Sequence, residues 1–176
     1  MIRRLYARLD ALAAPVLPTL ARFAFAATLA GYYWASARTK LDGAALSVNG
    51  YAQIFPRATE AAGYNVAELS LFHTLVVTAG TLAEFILPAL LILGLLSRPA
   101  ALGMIGFIAV QTLTDLFGHR AIGEPATLGA WFDRKPDSLI LDQRLLWVTL
   151  LMPIILLGGG PLSLDRLIVR LRRTEL

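Results

Sequence analysis

The sequence predicts an all-α membrane protein, a four-helix transmembrane up-down bundle with amphipathic interfacial helices at both termini. Three observations support this fold class. Of the 176 residues, 57% are hydrophobic and only 16% are charged, whereas soluble globular chains carry about 25% charged residues. The mean hydropathy is +0.65. Four apolar stretches approach the roughly 20 residues that a helix needs to cross a bilayer. By length, residues 1–176 form a single domain.

The four predicted spans cover residues 16–37, 70–96, 99–118 and 139–157. Spans two and three are joined by little more than Ser97 and Arg98, so we expect them to pack as an antiparallel hairpin. Gly103 and Gly106 in span three are small enough to let the two helices approach closely. The glycines and proline of residues 158–161 end the fourth span.

Both termini have the pattern of a helix that lies on a membrane surface. Residues 1–14 place leucines on one face and arginines elsewhere, and Pro15 and Pro18 are expected to end this helix before span one. The tail after Gly160 repeats the pattern, with Ser163 or Asp165 as its cap. Residues 1–37 also fit an alternative, a cleavable signal peptide with an Ala-Ser-Ala site.

The distribution of arginines predicts the orientation of this multi-pass membrane protein. Three arginines lie near the N-terminus and four in the C-terminal tail, whereas basic and acidic residues balance in both long loops. The positive-inside rule then places both termini in the cytoplasm. The basic termini indicate contact with anionic lipid, and no nucleic-acid partner is expected. The chain has no cysteine, which excludes disulfides, thiol nucleophiles and cysteine-ligated iron–sulfur clusters.

Two charged residues stand inside predicted spans, Arg22 in span one and Glu84 in span two. Charges at this depth are costly unless they are paired or face a polar cavity. With a rise of about 1.5 Å per residue, their depths differ by about one turn. We therefore predict an intramembrane pair of Arg22 and Glu84. The pair either locks the bundle or shapes a polar pocket for an anionic or quinone head group.

A second polar group is predicted where span two begins and span three ends. It consists of His73, Gln111, Asp115 and His119, and the spacing of Asp115 and His119 places them on one helical face. A carboxylate beside a histidine can orient the ring and transfer protons. The group is therefore a candidate quinone and proton site, or else an interfacial cluster that contacts water and head groups. Haem or metal ligation is disfavoured, because no further strong ligand motif is present.

Three motifs resemble the DoxX family of small four-helix bacterial membrane proteins. Glu84 is followed ten residues later by the segment 94–101, GLLSRPAA, and the segment 158–165 reads GGGPLSLD. The third motif is Arg22 in the first span, with the small residue Ala37 three positions before Lys40. This resemblance covers nearly the whole chain, and it implies a location in the bacterial inner (plasma) membrane. It identifies several motif residues that we expect to be structural, namely Lys40, Gly94, Arg98, Ser163 and Asp165. Arg98 in particular is suited to bind helix C-terminal carbonyls or lipid phosphate.

The resemblance implies a function linked to redox chemistry. Members are similar to membrane subunits of a thiosulfate:quinone oxidoreductase or to partners in assemblies that handle thiols and oxidative stress. It therefore implies a quinone-interacting subunit of a redox complex, with a protein partner, no catalytic residue or metal of its own and no intrinsic cofactor other than a bound quinone. Two alternatives remain open. One is a non-catalytic scaffold that recruits a soluble oxidoreductase, and the other is a small-molecule permeation pathway.

Overall fold

The structure is a computed structural model that describes the backbone of residues 2–174 and the side chains of residues 2–172. It is predominantly helical. The long helices are α1 (Ile2–Phe25), α2 (Gly31–Thr39), α5 (Leu71–Leu93), α6 (Ser97–Leu113), α8 (Leu141–Leu157) and α9 (Leu164–Thr174). Short elements fill the two long loops, namely β1 (Leu41–Asp42), β2 (Ala45–Leu46), α3 (Val48–Ile54), α4 (Pro56–Ala61) and α7 (Pro125–Leu128). The strands β1 and β2 pair antiparallel, with Leu41 opposite Leu46.

The first span differs from its prediction. Pro15 and Pro18 lie inside α1 and do not end it. A π-helical turn, Ala26–Ala30, then joins α1 to α2, so that helical structure runs from Ile2 to Thr39. The hydroxyl of Thr19 donates to the carbonyl of Pro15 at 2.8 Å. Serine and threonine side chains, neighbouring helices and local changes of helix type can satisfy the backbone groups that a proline frees in a membrane helix. The proline rule for soluble helices therefore misplaced this boundary.

Three helices among the described residues are long and apolar enough to cross a membrane. They are Ile2–Thr39, Leu71–Leu93 and Ser97–Gly118. The last of these is α6 extended by a second π-helical turn, Thr114–Gly118. The fourth predicted span corresponds to α8, which has 17 residues and so lies at the short end of the spanning range of about 17–25. A fourth crossing therefore stays a prediction.

The turn between α5 and α6 is formed by Gly94, Leu95 and Leu96. Ser97 and Arg98, predicted as the link, instead form the first turn of α6. Gly94 has a φ of +66°, a left-handed conformation that glycine adopts without steric cost. The amphipathic tail helix is confirmed as α9, and Ser163 caps it by accepting a hydrogen bond from the backbone N–H of Arg166 at 3.2 Å.

The chain divides into two compact units, each with its own core. The first unit comprises residues 1–31, 87–104 and 149–176, and the second comprises residues 32–86 and 105–148. Fully buried side chains of the first unit include Phe25, Leu91, Met104, Leu151 and Ile154. Fully buried side chains of the second unit include Tyr33, Val77, Ile108 and Ile140. Both units draw residues from α5, α6 and α8.

Candidate functional site

In the second unit, Glu84 of α5 forms a buried ion pair with Lys40, which follows the end of α2. The Lys40 Nζ atom lies 2.8 Å from Glu84 Oε2 and 3.1 Å from Oε1. The Ser36 hydroxyl donates to Glu84 Oε1 at 3.0 Å and accepts from Lys40 Nζ at 2.8 Å. The two charged side chains are only 5% and 4% exposed. Both charges are paired and hydrogen-bonded, as buried charges must be.

In the first unit, the guanidinium of Arg22 binds backbone carbonyls. Its Nε donates to the carbonyl of Leu91 at 2.8 Å, and its Nη2 donates to that of Ile92. Its Nη1 donates to the carbonyls of Gly159 and Leu162, each at 2.8 Å. The last carbonyls of a helix have no partner within it, so Arg22 satisfies both the end of α5 and the glycine-rich segment after α8.

The predicted Arg22–Glu84 pair is therefore wrong. The prediction compared the depths of the two charged residues and considered only charged partners. Helix ends offer uncharged acceptors at the same depth, and an arginine with five donors can use several of them. Lys40 lies outside the helical spans, and its long side chain extends to the carboxylate.

The remaining motif residues also hold helix ends. Asp165 accepts from the backbone N–H groups of Leu96 and Ser97, at 2.7 and 2.8 Å, and so caps α6. Of the two predicted caps of the tail helix, Ser163 is therefore the one observed, and Asp165 caps α6 instead. Burial by itself would raise the pKa of the Asp165 carboxyl, but the hydrogen bonds from Ser97 and Leu96 and the positive charge of Arg22 together lower it. Arg98 donates to the carbonyl of Leu156, near the end of α8, at 3.2 Å.

Gly94 is enclosed by two of these residues. A Cβ atom added there would lie 2.6 Å from Arg22 Cζ and 2.6 Å from Ser163 Cβ. Position 94 therefore requires glycine for two reasons: the backbone is left-handed there, and there is no space for a Cβ atom. The motif residues in the first unit form one structural junction, in which Arg22, Gly94, Ser163 and Asp165 join the ends of α5, α6 and α8 to the start of α9.

A cleft of about 380 Å³ lies in the second unit and is the best candidate for a functional site. Its volume is within the usual range of roughly 300–1,000 Å³ for small-molecule sites. The residues that line it combine aromatic, basic and acidic side chains: Tyr32, Asp115, His119, Ala121, Glu124, Thr127, Leu139, Ile140, Gln143, Arg144 and Trp147. Two of the four residues predicted for a ligand site, Asp115 and His119, belong to this cleft.

Arg144, from the first turn of α8, lines the cleft and makes several polar contacts there. Its Nη2 forms a salt bridge with Asp115 Oδ2, and its Nη1 donates to the Thr112 hydroxyl at 2.9 Å. The guanidinium carbon lies 5.4 Å from the ring centroid of Trp147, a cation–π arrangement. Arg144 is 8% exposed, and its Nε has no hydrogen-bond partner among the described residues. A buried donor without a partner in the protein is normally satisfied by a ligand or by water.

Sequence reasoning did not single out Arg144. The sequence does contain an indication of its role, because Arg144 lies near the start of the predicted span 139–157, where a charged side chain needs a partner. Asp115 was instead expected to act with His119. The π-helical turn Thr114–Gly118 widens the helix at this point, so the faces derived from a period of 3.6 residues do not apply. Asp115 pairs with Arg144, and His119 Nε2 contacts the carbonyl of Gln53 at 3.0 Å.

The other two predicted ligand residues have different positions. Gln111 does not line the cleft, but it donates to the hydroxyl of Tyr32, a cleft residue, at 2.9 Å. His73 is not among the cleft residues. Its Nδ1 is 2.8 Å from the Ser70 hydroxyl, and its ring contacts Phe55 edge-on with centroids 4.7 Å apart. The predicted group of four is therefore divided, because His73 belongs to an aromatic cluster outside the cleft.

The cleft has a mixed and nearly balanced electrostatic character. Arg144 and Asp115 offset each other, and Glu124 and His119 add one acidic and one titratable basic side chain. Within residues 2–174, no group of three or more His, Cys, Asp or Glu residues is arranged to hold a metal ion. The side chains that are present can stack on a flat ring, donate hydrogen bonds to carbonyl oxygens and exchange protons.

Comparison with known proteins adds a family assignment. The family model described as DoxX matches residues 17–119. This range contains Arg22, Lys40, Glu84, Gly94 and Arg98, and it ends before α8. Arg144 and Trp147 thus lie outside the matched range. Neither the curated proteins nor the solved structures include a significant match to this chain.

Proposed function

The chain belongs to the DoxX family, and on this premise we propose that it is the membrane-embedded subunit of a redox complex that binds a quinone head group in the cleft. The family assignment and the three long apolar helices make it a membrane protein, of a family often linked to redox reactions. The observation that carries the quinone proposal is Arg144, which lines the cleft beside Trp147 and has an Nε donor with no hydrogen-bond partner among the described residues.

The charge balance of the cleft favours an uncharged ligand. Arg144 is already neutralised by Asp115, and Glu124 would repel an anion. A quinone head group is neutral and flat, and it has two carbonyl oxygens that accept hydrogen bonds. Trp147 and Tyr32 provide aromatic surfaces for its ring. Arg144 Nε and the Tyr32 hydroxyl are candidate donors for its oxygens.

Reduction of a quinone to a quinol consumes two electrons and two protons. The chain has no cysteine and no metal-binding cluster among its described residues, so a partner protein with a redox centre is proposed as the electron donor. His119 and Glu124 line the cleft and are side chains that exchange protons readily. Arg144 would hold the head group in place. With both termini in the cytoplasm, as the arginine distribution favours, the cleft would open toward the outer face of the inner membrane.

The test is binding of decylubiquinone to the full chain in lipid nanodiscs, together with mass spectrometry of quinone retained from its own membranes. Arg144→Lys keeps the charge opposite Asp115 but removes the Nε donor and the planar fork. Loss of one hydrogen bond to a charged group is expected to weaken binding about tenfold or more. Trp147→Leu removes the stacking surface and is expected to weaken binding about threefold to tenfold.

His73→Ala is the matched control. The residue lies outside the cleft, so this variant is expected to bind decylubiquinone as the unaltered chain does. Equal binding by all four proteins, or loss of binding only in His73→Ala, would contradict the proposal. Recovery of a soluble oxidoreductase with no retained quinone would favour the scaffold alternative.

A further inference from the structure

Two adjoining depressions lie on the first unit, and they share no lining residue with the cleft. One is a pocket of about 510 Å³, called the polar pocket because its otherwise mainly apolar wall contains Ser163, Asp165 and Arg166. The other is an apolar groove of about 470 Å³. Both are lined by Pro15 and Pro161, so they adjoin. Together they form a site with one polar and one apolar end.

The apolar groove runs along α1, where this helix enters the first predicted span. Leu20 and Phe23 form part of its lining, and they are 56% and 69% exposed to the surroundings of the chain. In a membrane protein such a surface faces hydrocarbon, because exposed apolar side chains at this depth contact lipid rather than water. The groove therefore has the chemistry of an acyl-chain site.

The polar pocket has one cation available for a ligand. Both carboxylate oxygens of Asp165 accept backbone N–H bonds from Leu96 and Ser97, and its charge is offset by the nearby guanidinium of Arg22. The Arg166 side chain lines the same pocket and is exposed, with no hydrogen bond or ion pair to the described residues. An exposed guanidinium is well suited to bind a phosphate.

We propose that these depressions bind one anionic phospholipid, with its phosphate on Arg166 and one acyl chain in the groove between Pro15 and Phe23. The order of the two ends supports this occupant. The arginine lies on α9, outside the predicted spans, and the groove continues along α1 into the first span. This is the order in which a lipid presents its head group and its chain. Such a lipid would link the start of α9 to α1.

The test is native mass spectrometry of the full chain in detergent, after incubation with equimolar phosphatidylglycerol and phosphatidylcholine. One phosphatidylglycerol is expected to be retained in preference to phosphatidylcholine. Arg166→Gln is expected to lower this retention about fivefold, the effect of one basic residue at a lipid surface. Arg172→Gln removes the same charge from the same helix, from a residue that does not line the pocket, and is expected to keep the lipid.

A pocket-filling variant tests the head-group end of the site from the α1 side. Ala14 is exposed and lines the polar pocket next to Pro15, so Ala14→Trp is expected to displace the lipid without changing the core. Thermal unfolding in detergent checks that each variant is folded. Equal retention of the two lipid classes, equal loss in both arginine variants, full retention in Ala14→Trp, or unfolding of Arg166→Gln would each overturn the proposal. None of these outcomes depends on quinone binding.

Discussion

Glu84→Gln is expected to destabilise the protein strongly, because it leaves the ammonium group of Lys40 buried without a counter-charge. The two side chains are 5% and 4% exposed, so the pair belongs to the buried class and not to the surface class, for which a pair contributes about 0–1 kcal/mol. Removal of one member of a buried pair typically costs about 3–5 kcal/mol. We expect a loss of this size for Glu84→Gln and a similar loss for Lys40→Met.

The double variant separates the interaction from other effects of the two substitutions. When both members of a buried pair are replaced by uncharged groups, no buried charge remains, and the result is often neutral. The Ser36 hydroxyl can still donate to the glutamine side chain, as it does to Glu84 Oε1. The combined variant is therefore expected to lose less stability than the sum of the two single losses, by at least about 2 kcal/mol.

The assay is reversible unfolding in mixed detergent micelles, followed by circular dichroism. Exposed residues of the same types provide matched controls, Lys135→Met and Glu60→Gln, and each is expected to change the free energy of unfolding by less than about 0.5 kcal/mol. Strictly additive losses in the double variant would refute the reasoning, because the two residues would then be independent. Losses below about 1 kcal/mol in the single variants would show that water reaches the pair.

Two further predictions concern the structural junction of the first unit. Gly94→Ala is expected to lower the free energy of unfolding by about 2–5 kcal/mol in thermal unfolding, because the backbone is left-handed there and a Cβ atom would be too close to Arg22 and Ser163. The control is Gly106→Ala, which has open space around it and is expected to be neutral or stabilising. Equal losses in the two variants would contradict this reasoning. Because hydrogen bonds lower the pKa of Asp165, its contribution to stability is complete above about pH 4 and is lost as the pH falls through the folded-state pKa. Asp165→Asn should therefore show a smaller fall in melting temperature between pH 5 and pH 3 than the unaltered chain, and parallel curves would contradict this cause.

The sequence could not identify which charged groups meet. Lys40 and Glu84 are 44 residues apart, and Asp115 and Arg144 are 29 residues apart. Depth along a helix axis can be estimated from residue counts, but the rotation of each helix and the choice between charged and carbonyl partners depend on packing. Arg22 satisfies four carbonyls that no sequence pattern marks as acceptors. The motifs therefore predicted a structural role for Gly94, Ser163 and Asp165, but neither the bonds of these residues nor their association with Arg22.

The sequence by itself determined the features that follow from composition and local periodicity. Its apolar stretches predict membrane helices because each residue contributes to transfer into lipid almost independently of its neighbours, and the amphipathic pattern of residues 164–174 predicts α9 for the same local reason. Which residues line the cleft, in contrast, depends on the tertiary structure alone. A π-helical turn changes the direction of Asp115, and α8 brings Arg144 and Trp147 beside it. These are contacts between distant segments, and their geometry depends on how whole helices pack rather than on any local preference.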